Sequence, residues 1–364
     1  MGEREQAAMM RRERLEAVIA GRRPDRTPVL GGWIACPEHI CALANVDIET
    51  YWADPVEASI AAYRELGSDG LVGIFVPRGR EDFRCVDAQS YKSASGGMSL
   101  EEAVARIDEL PTAAEHEAAF DVEAAYAPFR AGLVEMQRRC GEMLWMPAQW
   151  SCGAKVTWYA DFGYENYLLV VGLYPGRAAK LIALGGAQGH CAGRLVARAV
   201  QEGLYPRACF LGEDICTQRG PMISPEFLAE HWGPALRHGL QPLRDAGCKP
   251  VWHCDGDVRA ILDIVLSAGA AGLQGFQPEC GMTIEYVASL RTRDGEPLLI
   301  FGPLAVTTEL PICTGEQVRR KTRHAIDVCR GEAHLVLFTA NTINPDVPLA
   351  NIRAIHEAVR ETPP

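Results

Sequence analysis

The sequence predicts an α/β protein with a single (β/α)8 barrel of the TIM type, because strand-like and helical patterns alternate along its 364 residues. Eight short apolar runs have the length and composition of strands, and most are separated by stretches with apolar residues at helical spacing. Several of these runs end in polar residues, which is where barrels of this type build their sites. The predicted strands cover residues 28–34, 70–75, 144–150, 207–214, 248–255, 272–277, 297–305 and 335–341.

The first predicted element is an amphipathic helix over residues 9–19, which ends at Gly21 before the first strand. We therefore assign residues 1–27 to an N-terminal helical extension and residues 28–364 to the barrel. The region 77–137 is longer than one crossover needs and predicts an inserted helical segment. The helices predicted between the other strands cover residues 55–66, 165–184, 225–246, 282–290 and 315–329.

The alternative fold is a doubly wound parallel sheet. In its dinucleotide-binding form, a glycine-rich turn connects a strand to the helix that follows. The glycine-rich stretch at residues 185–189 follows a predicted helix instead. The sequence therefore favours the barrel.

Composition and charge indicate a globular protein that acts on small molecules. Hydrophobic residues make up 48% of the chain and charged residues 23%, which argues against disorder. A net charge of −11 disfavours nucleic acid and anionic membranes as partners. The 13 cysteines show no disulfide spacing, and the sequence contains neither a signal core nor an apolar run long enough to span a bilayer. We therefore expect a cytoplasmic protein with reduced thiols.

The most informative motif lies where the fifth predicted strand passes into a helix. His253, Cys254 and Asp255 stand at the end of this strand, and Asp257 follows. A His and an Asp two residues apart on a strand can face the same ligand. A lone strand-end His is more often structural, but acidic residues at other strand ends favour a functional role here. We interpret Asp257 mainly as a helix cap and Asp255 as part of the site.

Other predicted strand ends carry polar residues as well. The fourth strand ends in Glu213 and Asp214, and two carboxylates beside apolar residues require a cation, a metal or a shared proton. We predict that these two residues are catalytic together with His253 and Asp255. The predicted substrate-binding residues lie at the ends of the first, third, sixth and eighth strands and are Trp33, Gln149, Trp150, Gln277 and Asn341.

Cysteines near the same strand ends form a weaker pattern. Cys36, His39 and Cys41 combine ligand types that zinc prefers, but their spacing matches no familiar zinc finger. Ordinary buried thiols are therefore the favoured interpretation. The alternative is a thiol-rich rim on the site face, formed by Cys36, Cys152, Cys216 and Cys280.

Motifs spread in order over nearly the whole chain share the pattern of one known superfamily. They are residues 11–14 with 24–29, residues 212–215 with 220–226, residues 253–256, Gly302, residues 314–318, and residues 344–348 with Asn351 and Ile352. This pattern resembles the uroporphyrinogen decarboxylase superfamily, in particular its methyltransferase-like branch. The resemblance implies a (β/α)8 barrel with a site at the strand ends.

The sequence departs from that superfamily at two places. Its porphyrin decarboxylases carry an arginine-rich loop after the first strand, whereas residues 31–36 contain no arginine; uroporphyrinogen decarboxylation is therefore not expected. Its methyltransferases hold zinc with a His-x-Cys pair and a later Cys. His253 matches the His, while Asp255 and Asn341 stand at or near the Cys positions. This set is harder than two thiolates and suits activation of water or of an oxygen-bearing substrate.

The resemblance makes metal-assisted methyl transfer, with a corrinoid cofactor or a corrinoid protein, the leading hypothesis. Asp214 and Asn341 would orient ligands or substrate. The expected zinc ligands are His253, Asp255 and Glu213, with Cys254 and Cys280 as alternatives.

Two other hypotheses remain open at this point. One is a metal-independent decarboxylase or lyase that acts on a tetrapyrrole-like or small carboxylate, with Asp255 or Glu213 as the general acid. The other is a non-catalytic protein that binds a corrinoid or tetrapyrrole. The expected partners are a small-molecule substrate, a corrinoid protein and a second copy of the chain in a homodimer.

Overall fold

Strands and helices alternate in the computed structural model, which describes residues 9–77, 79 and 98–363. Most strands are followed by helical connections, and the paired strands of the two larger sheets are parallel. The strands are β1 Leu30–Gly31, β2 Gly70–Leu71, β3 Leu144–Trp145, β4 Ala208–Gly212, β5 Cys216–Thr217, β6 Gly220–Pro221, β7 Lys249–His253, β8 Gly272–Gln274, β9 Leu299–Leu304 and β10 His334–Thr339.

The helices begin where the sequence supplies capping residues. Ser224 caps the start of the helix predicted from residue 225, since its hydroxyl accepts a hydrogen bond from the Phe227 amide. The α-helices are α1 Arg11–Ile19, α2 Pro37–Ala44, α3 Ile48–Ala53, α4 Pro55–Leu66, α5 Leu100–Glu109, α6 Ala113–Ala119, α7 Val122–Cys140, α8 Tyr159–Phe162, α9 Tyr164–Leu173, α10 Pro175–Gln201, α11 Pro225–Phe227, α12 Gly233–Asp245, α13 Leu262–Ala268, α14 Ile284–Ser289, α15 Gly315–Cys329 and α16 Leu349–Glu361.

The parallel strands form two sheets, one of three strands in the order β1-β2-β3 and one of five in the order β10-β9-β8-β7-β4. Two contacts connect their edges. A parallel bridge joins Val29 to Leu337 beside β1 and β10. The backbone N–H of Gln149, which follows β3, donates a hydrogen bond of 2.7 Å to the carbonyl oxygen of Phe210 in β4. The chain is therefore an α/β protein with parallel sheets.

Each of the eight predicted strands overlaps an observed strand, but the first three observed strands are only two residues long. The predicted helix over residues 165–184 is two helices, because the chain bends by 117° between α9 and α10. In the predicted insertion, α5, α6 and α7 confirm helical structure, while residues 78 and 80–97 lie outside the described part. The domain boundary at residue 27 stays a prediction.

A short hairpin follows β4. β5 and β6 pair antiparallel directly after β4. Among the described helices, none is by itself long and apolar enough to cross a membrane. The bent pair α9 and α10 meets the length and composition criteria only when its two helices are taken together.

A buried ion network ties α1 to the start of β2. The Asp69 carboxylate is fully buried and accepts hydrogen bonds from the guanidinium groups of Arg14 and Arg26 and from the Val29 amide. Arg14 also bonds Asp25 at 2.6 Å. Buried charges are tolerated only when they are paired and hydrogen-bonded. Because the network pairs the two guanidinium groups with the carboxylates of Asp25 and Asp69, all four ionised groups can pack at the amino-terminal edge of the sheet.

We expect Asp69→Asn to lower the free energy of unfolding by about 3–5 kcal/mol, because the guanidinium group of Arg26 loses its ion-pair partner and that of Arg14 keeps only Asp25. Urea unfolding followed by circular dichroism measures the loss. The control is Asp108→Asn, which removes an ion pair with Arg177 at the protein surface and should change stability much less. An equal effect of the two substitutions would contradict the structural role given to Asp69.

His356 on α16 predicts a specific acid sensitivity. Burial, with the nearby charges of Arg360 and Arg26, lowers its pKa from 6.5 to about 3. Between these values the unfolded chain takes up a proton that the folded protein excludes, so stability falls as the pH drops from about 6.5 toward 3. The contribution is at most ~1.4 kcal/mol per pH unit. Thermal melts across this range should show a shallower pH dependence for His356→Gln than for the wild type; identical slopes would refute the assignment.

Candidate functional site

The carboxyl ends of β4, β7, β8 and β10 bring the predicted strand-end residues together. β4 and β7 pair so that Gly212 lies opposite His253, and β7 and β8 pair so that His253 lies opposite Gln274. Gly212 has a φ of +141°, and a Cβ there would lie 2.1 Å from the His253 carbonyl oxygen. Glycine at this position therefore permits the close approach of the two strand ends.

Three of the predicted site residues converge on one point. One ligand atom each from Asp214, His253 and Asp255 lies within 4.8 Å of the others. The His253 Nε2 lies 3.4 Å from Asp214 Oδ1, which also accepts a hydrogen bond from the Asp255 amide. One imidazole and two carboxylates so close together are a ligand set suited to a divalent metal ion.

Asp255 is held on one side and unpaired on the other. Its Oδ2 accepts a hydrogen bond from Asn341 Nδ2 at 2.6 Å. Its Oδ1 is buried and has no hydrogen-bond partner among the described residues. Because a buried carboxylate oxygen without a partner is unfavourable, this atom could serve as a ligand atom of the group.

The protonation equilibria of the three groups are linked. Burial disfavours a charged imidazole, but the hydrogen bond and charge of Asp214, with the charge of Asp255, raise the pKa of His253 to about 9. Burial raises the pKa of Asp255 to about 6 against the attraction of His253. For Asp214, burial is outweighed by the hydrogen bond and charge of His253, so its pKa is lowered. The carboxylates thus favour a positive charge between them.

His253 is oriented from behind by a residue that the sequence analysis missed. The Nδ1 of His253 faces the Oε1 of Gln274, a buried residue at the end of β8. The Gln274 amide nitrogen donates to the carbonyl oxygens of Thr339 and Ala340, at 2.8 and 3.0 Å. The signal for Gln274 is a polar residue that ends an apolar strand, and the same signal fits Gln277, the residue predicted three positions later.

The structure does not bring Glu213 into this group. Its carboxylate accepts hydrogen bonds from the amides of Val156 and Thr157, at 2.8 and 2.7 Å, and from the Thr157 hydroxyl. Successive residues after a strand point to opposite sides, so Asp214 occupies the ligand position that the sequence analysis gave to Glu213. Burial raises the pKa of Glu213 to about 7, although these three donors oppose the shift.

Two of the predicted substrate-binding residues form an aromatic wall beside His253. The ring centroids of Trp33 and Trp150 lie 6.2 and 5.7 Å from that of His253. Trp150 is 49% exposed, so its ring borders the solvent at the mouth of the site. Phe210 and Phe338 pack edge-on against Trp33 and support it.

The predicted glutamines have local partners. Gln149 donates from its side chain to the Pro147 carbonyl, at 3.2 Å. The Gln277 Oε1 accepts from the Gly256 amide at 2.8 Å, and so braces the turn after Asp255. A substrate-binding role for either residue stays a prediction.

The cysteines do not join Asp214, His253 and Asp255, which we call the convergent group. Cys254 is buried, and its Sγ lies 3.2 Å from the Asp255 carbonyl oxygen and accepts from the Ile215 amide. The Cys280 Sγ lies 3.9 Å from Gln277 Oε1. His39, from the Cys36-x-x-His39-x-Cys41 segment, bonds the Val347 carbonyl instead of joining its neighbouring thiols in a metal group among the described residues. The twelve cysteines in the described ranges are all free.

Comparison with known proteins gives a structural likeness. No protein-family model matches the sequence. No curated protein matches it either. Among solved structures, a methyltransferase from Methanosarcina mazei superposes with a TM-score of 0.58 at 11% sequence identity, and the match covers 97% of this chain and 99% of that one. At this identity the likeness shows a shared α/β fold over nearly the full length.

We expect Glu213→Gln to destabilise the protein by about 1–3 kcal/mol, because one amide NH2 would face backbone N–H donors. The folded-state pKa of about 7 lies above the ordinary value of 4.5, so the carboxyl group's pH-linked contribution to stability is complete below pH 4.5 and is lost as the pH rises through 7. The substitution should remove this part of the pH dependence, as measured by urea unfolding between pH 4.5 and 8. The exposed Glu165→Gln is the control; equal behaviour of both variants would show that Glu213 does not hold residues 156 and 157.

Proposed function

We propose that the protein is a methyltransferase in which a divalent metal ion, bound by His253, Asp214 and Asp255, assists transfer of a methyl group to or from a corrinoid. The observation that carries this proposal is the convergence of one ligand atom from each of these three residues, together with the buried Oδ1 of Asp255, which has no hydrogen-bond partner in the described part of the chain. The full-length structural likeness to a methyltransferase supports the fold on which such a site would be built.

We also propose that the two parallel sheets close into one eight-stranded barrel. The Val29–Leu337 bridge lies at one seam between the sheets, and the bond from the Gln149 amide to the Phe210 carbonyl lies at the other. With both seams joined, the carboxyl ends of all eight strands would surround the convergent group, as in enzymes of this architecture.

The donor set fits a metal ion with an open coordination position. One nitrogen and two oxygen ligands leave a fourth position free on a tetrahedral ion such as zinc, which we propose as the metal. A bound metal would act as a Lewis acid on the heteroatom that carries or receives the methyl group. The metal ion would then be a partner for the buried Oδ1 of Asp255. The raised pKa of the Asp255 carboxyl group indicates that its negative charge is unfavourable when no metal ion is bound.

The chain's own residues would hold the substrate and exclude water. Trp33 and Trp150 form an apolar wall beside the imidazole, and Asn341 fixes Asp255 through Oδ2. Asp214, whose side chain is 59% exposed, reaches the mouth. These residues lie at or just after strand ends, and the rigid strands would keep their side chains in place around the reacting groups.

The residues around the site favour a substrate that does not carry several carboxylates. The charged groups that act on Asp255 are His253 and two further acids, Asp214 and Glu279. No arginine follows the first strand to bind carboxylates. A polycarboxylate would therefore find no guanidinium partner there and would face the Glu279 carboxylate, which favours methyl transfer over the alternative of a decarboxylase. The corrinoid partner, the homodimer and the cytoplasmic location stay predictions.

Metal analysis tests the proposal directly. We expect close to one zinc ion per chain in wild-type protein purified without chelator, and loss of the metal in His253→Ala and Asp214→Asn, as measured by mass spectrometry. Glu213→Gln is the matched control. The carboxylate of Glu213, the residue next to Asp214, bonds residues 156 and 157 instead of joining the ligand group, so this substitution should leave the metal content unchanged.

Activity provides the second arm of this test. Absorption spectra follow methyl transfer from uncharged methyl donors to reduced cob(I)alamin, and from methylcobalamin to uncharged acceptors, with and without chelator. Metal-free wild-type protein that stays metal-free after zinc addition would contradict the metal site. Turnover of a small carboxylate that survives chelation would support the lyase instead.

A further inference from the structure

We propose that Gln274 is a positioning residue that fixes the imidazole of His253 and presents its Nε2 to the two carboxylates. The inference deepens the proposed function, and its importance for metal binding rests on that function. Gln274 itself touches neither carboxylate. It would act through the orientation of His253.

The orientation of the Gln274 side chain follows from its partners. The residue is 2% exposed, so its amide has to be satisfied by protein groups. One end faces the carbonyl oxygens of Thr339 and Ala340, which only accept hydrogen bonds. This end must therefore be the NH2 group, and Oε1 must be the end that faces His253.

The hydrogen position on His253 follows from the same reasoning. Since Oε1 of Gln274 can only accept, the Nδ1 of His253 must carry the hydrogen in this contact. In a neutral imidazole the lone pair is then on Nε2, the atom that lies 3.4 Å from Asp214 Oδ1. Ligating histidines are commonly oriented in this way by an acceptor behind the ring.

Close packing prevents the ring from leaving this orientation. A Cβ at Gly275 would lie 2.2 Å from Nδ1 of His253, so backbone covers this side of the imidazole. Gly275 has a φ of +82°, which makes glycine the favoured residue there. Trp33 and Trp150 lie edge-on to the ring on other sides. The bond to Gln274 thus selects one rotation of a ring that has little room to adopt another.

The chain contains a matched control for this role. Asn351 is also 2% exposed and also donates its amide to two backbone carbonyl oxygens, those of Leu310 and Cys313, at 2.8 and 2.7 Å. It differs from Gln274 in having no contact with the convergent group. Asn351→Leu and Gln274→Met therefore remove similar backbone support, but only the latter removes the acceptor behind His253.

The first measurement is a zinc titration of metal-free protein against a fluorescent chelator. We expect Gln274→Met to weaken zinc binding about 10- to 100-fold relative to the wild type, and Asn351→Leu to leave it unchanged even if both variants lose stability. Zinc binding by Gln274→Met as tight as by the wild type would overturn the inference while leaving the proposed metal site intact.

The second measurement needs no metal, and its decisive spectrum is that of the wild type. In metal-free wild-type protein labelled with 15N-histidine, the His253 Nδ1–H should give a resonance protected from exchange, assigned by its absence in His253→Asn. The resonance should also be absent from Gln274→Met. A wild-type spectrum without this resonance would overturn the inference. If the resonance behaves as expected but the wild type binds no zinc, the metal proposal fails and the positioning of His253 by Gln274 stands.

Discussion

The site depends on the parallel register of β4, β7 and β8. Gly212, His253 and Gln274 lie side by side in this register, so three strands reach the same edge together. A shift of one residue in either pairing would turn every side chain of the shifted strand to the opposite face. The register is well determined because the residues before these ends, such as Phe210 and Val251, are completely buried.

The two edges of the sheets use buried polar groups differently. At the amino-terminal edge, the Asp69 carboxylate is paired with two guanidinium groups and a backbone amide. At the carboxyl edge, Asp255 has an oxygen with no partner in the described part of the chain. A folded protein retains an unsatisfied buried group where function requires it and offsets the cost elsewhere. The buried carboxylate at one edge is thus fully paired, whereas the one at the other edge has an oxygen that can still accept a bond.

Sequence patterns predicted those features that local chemistry determines. Apolar runs marked the eight strands of the two parallel sheets but not β5 and β6, and polar strand ends marked Asp214, His253 and Asp255. The division between Glu213 and Asp214 could not be predicted, because it depends on amides at residues 156 and 157 that are distant in sequence. The role of Gln274 appears only when β8 lies beside β7. The two-residue length of β1 to β3 likewise depends on the neighbouring strands.

The absence of sulfur from the convergent group has a consequence for the cell chemistry that the site can tolerate. Thiolate ligands are lost when oxidants convert them to disulfides or oxyacids, and the bound metal is released with them. The group of His253, Asp214 and Asp255 offers no such target. The adjacent Cys254 is buried, and its thiol is kept protonated by a strongly raised pKa that arises from burial. A centre of this composition would persist under oxidising conditions that dismantle a His/Cys/Cys site.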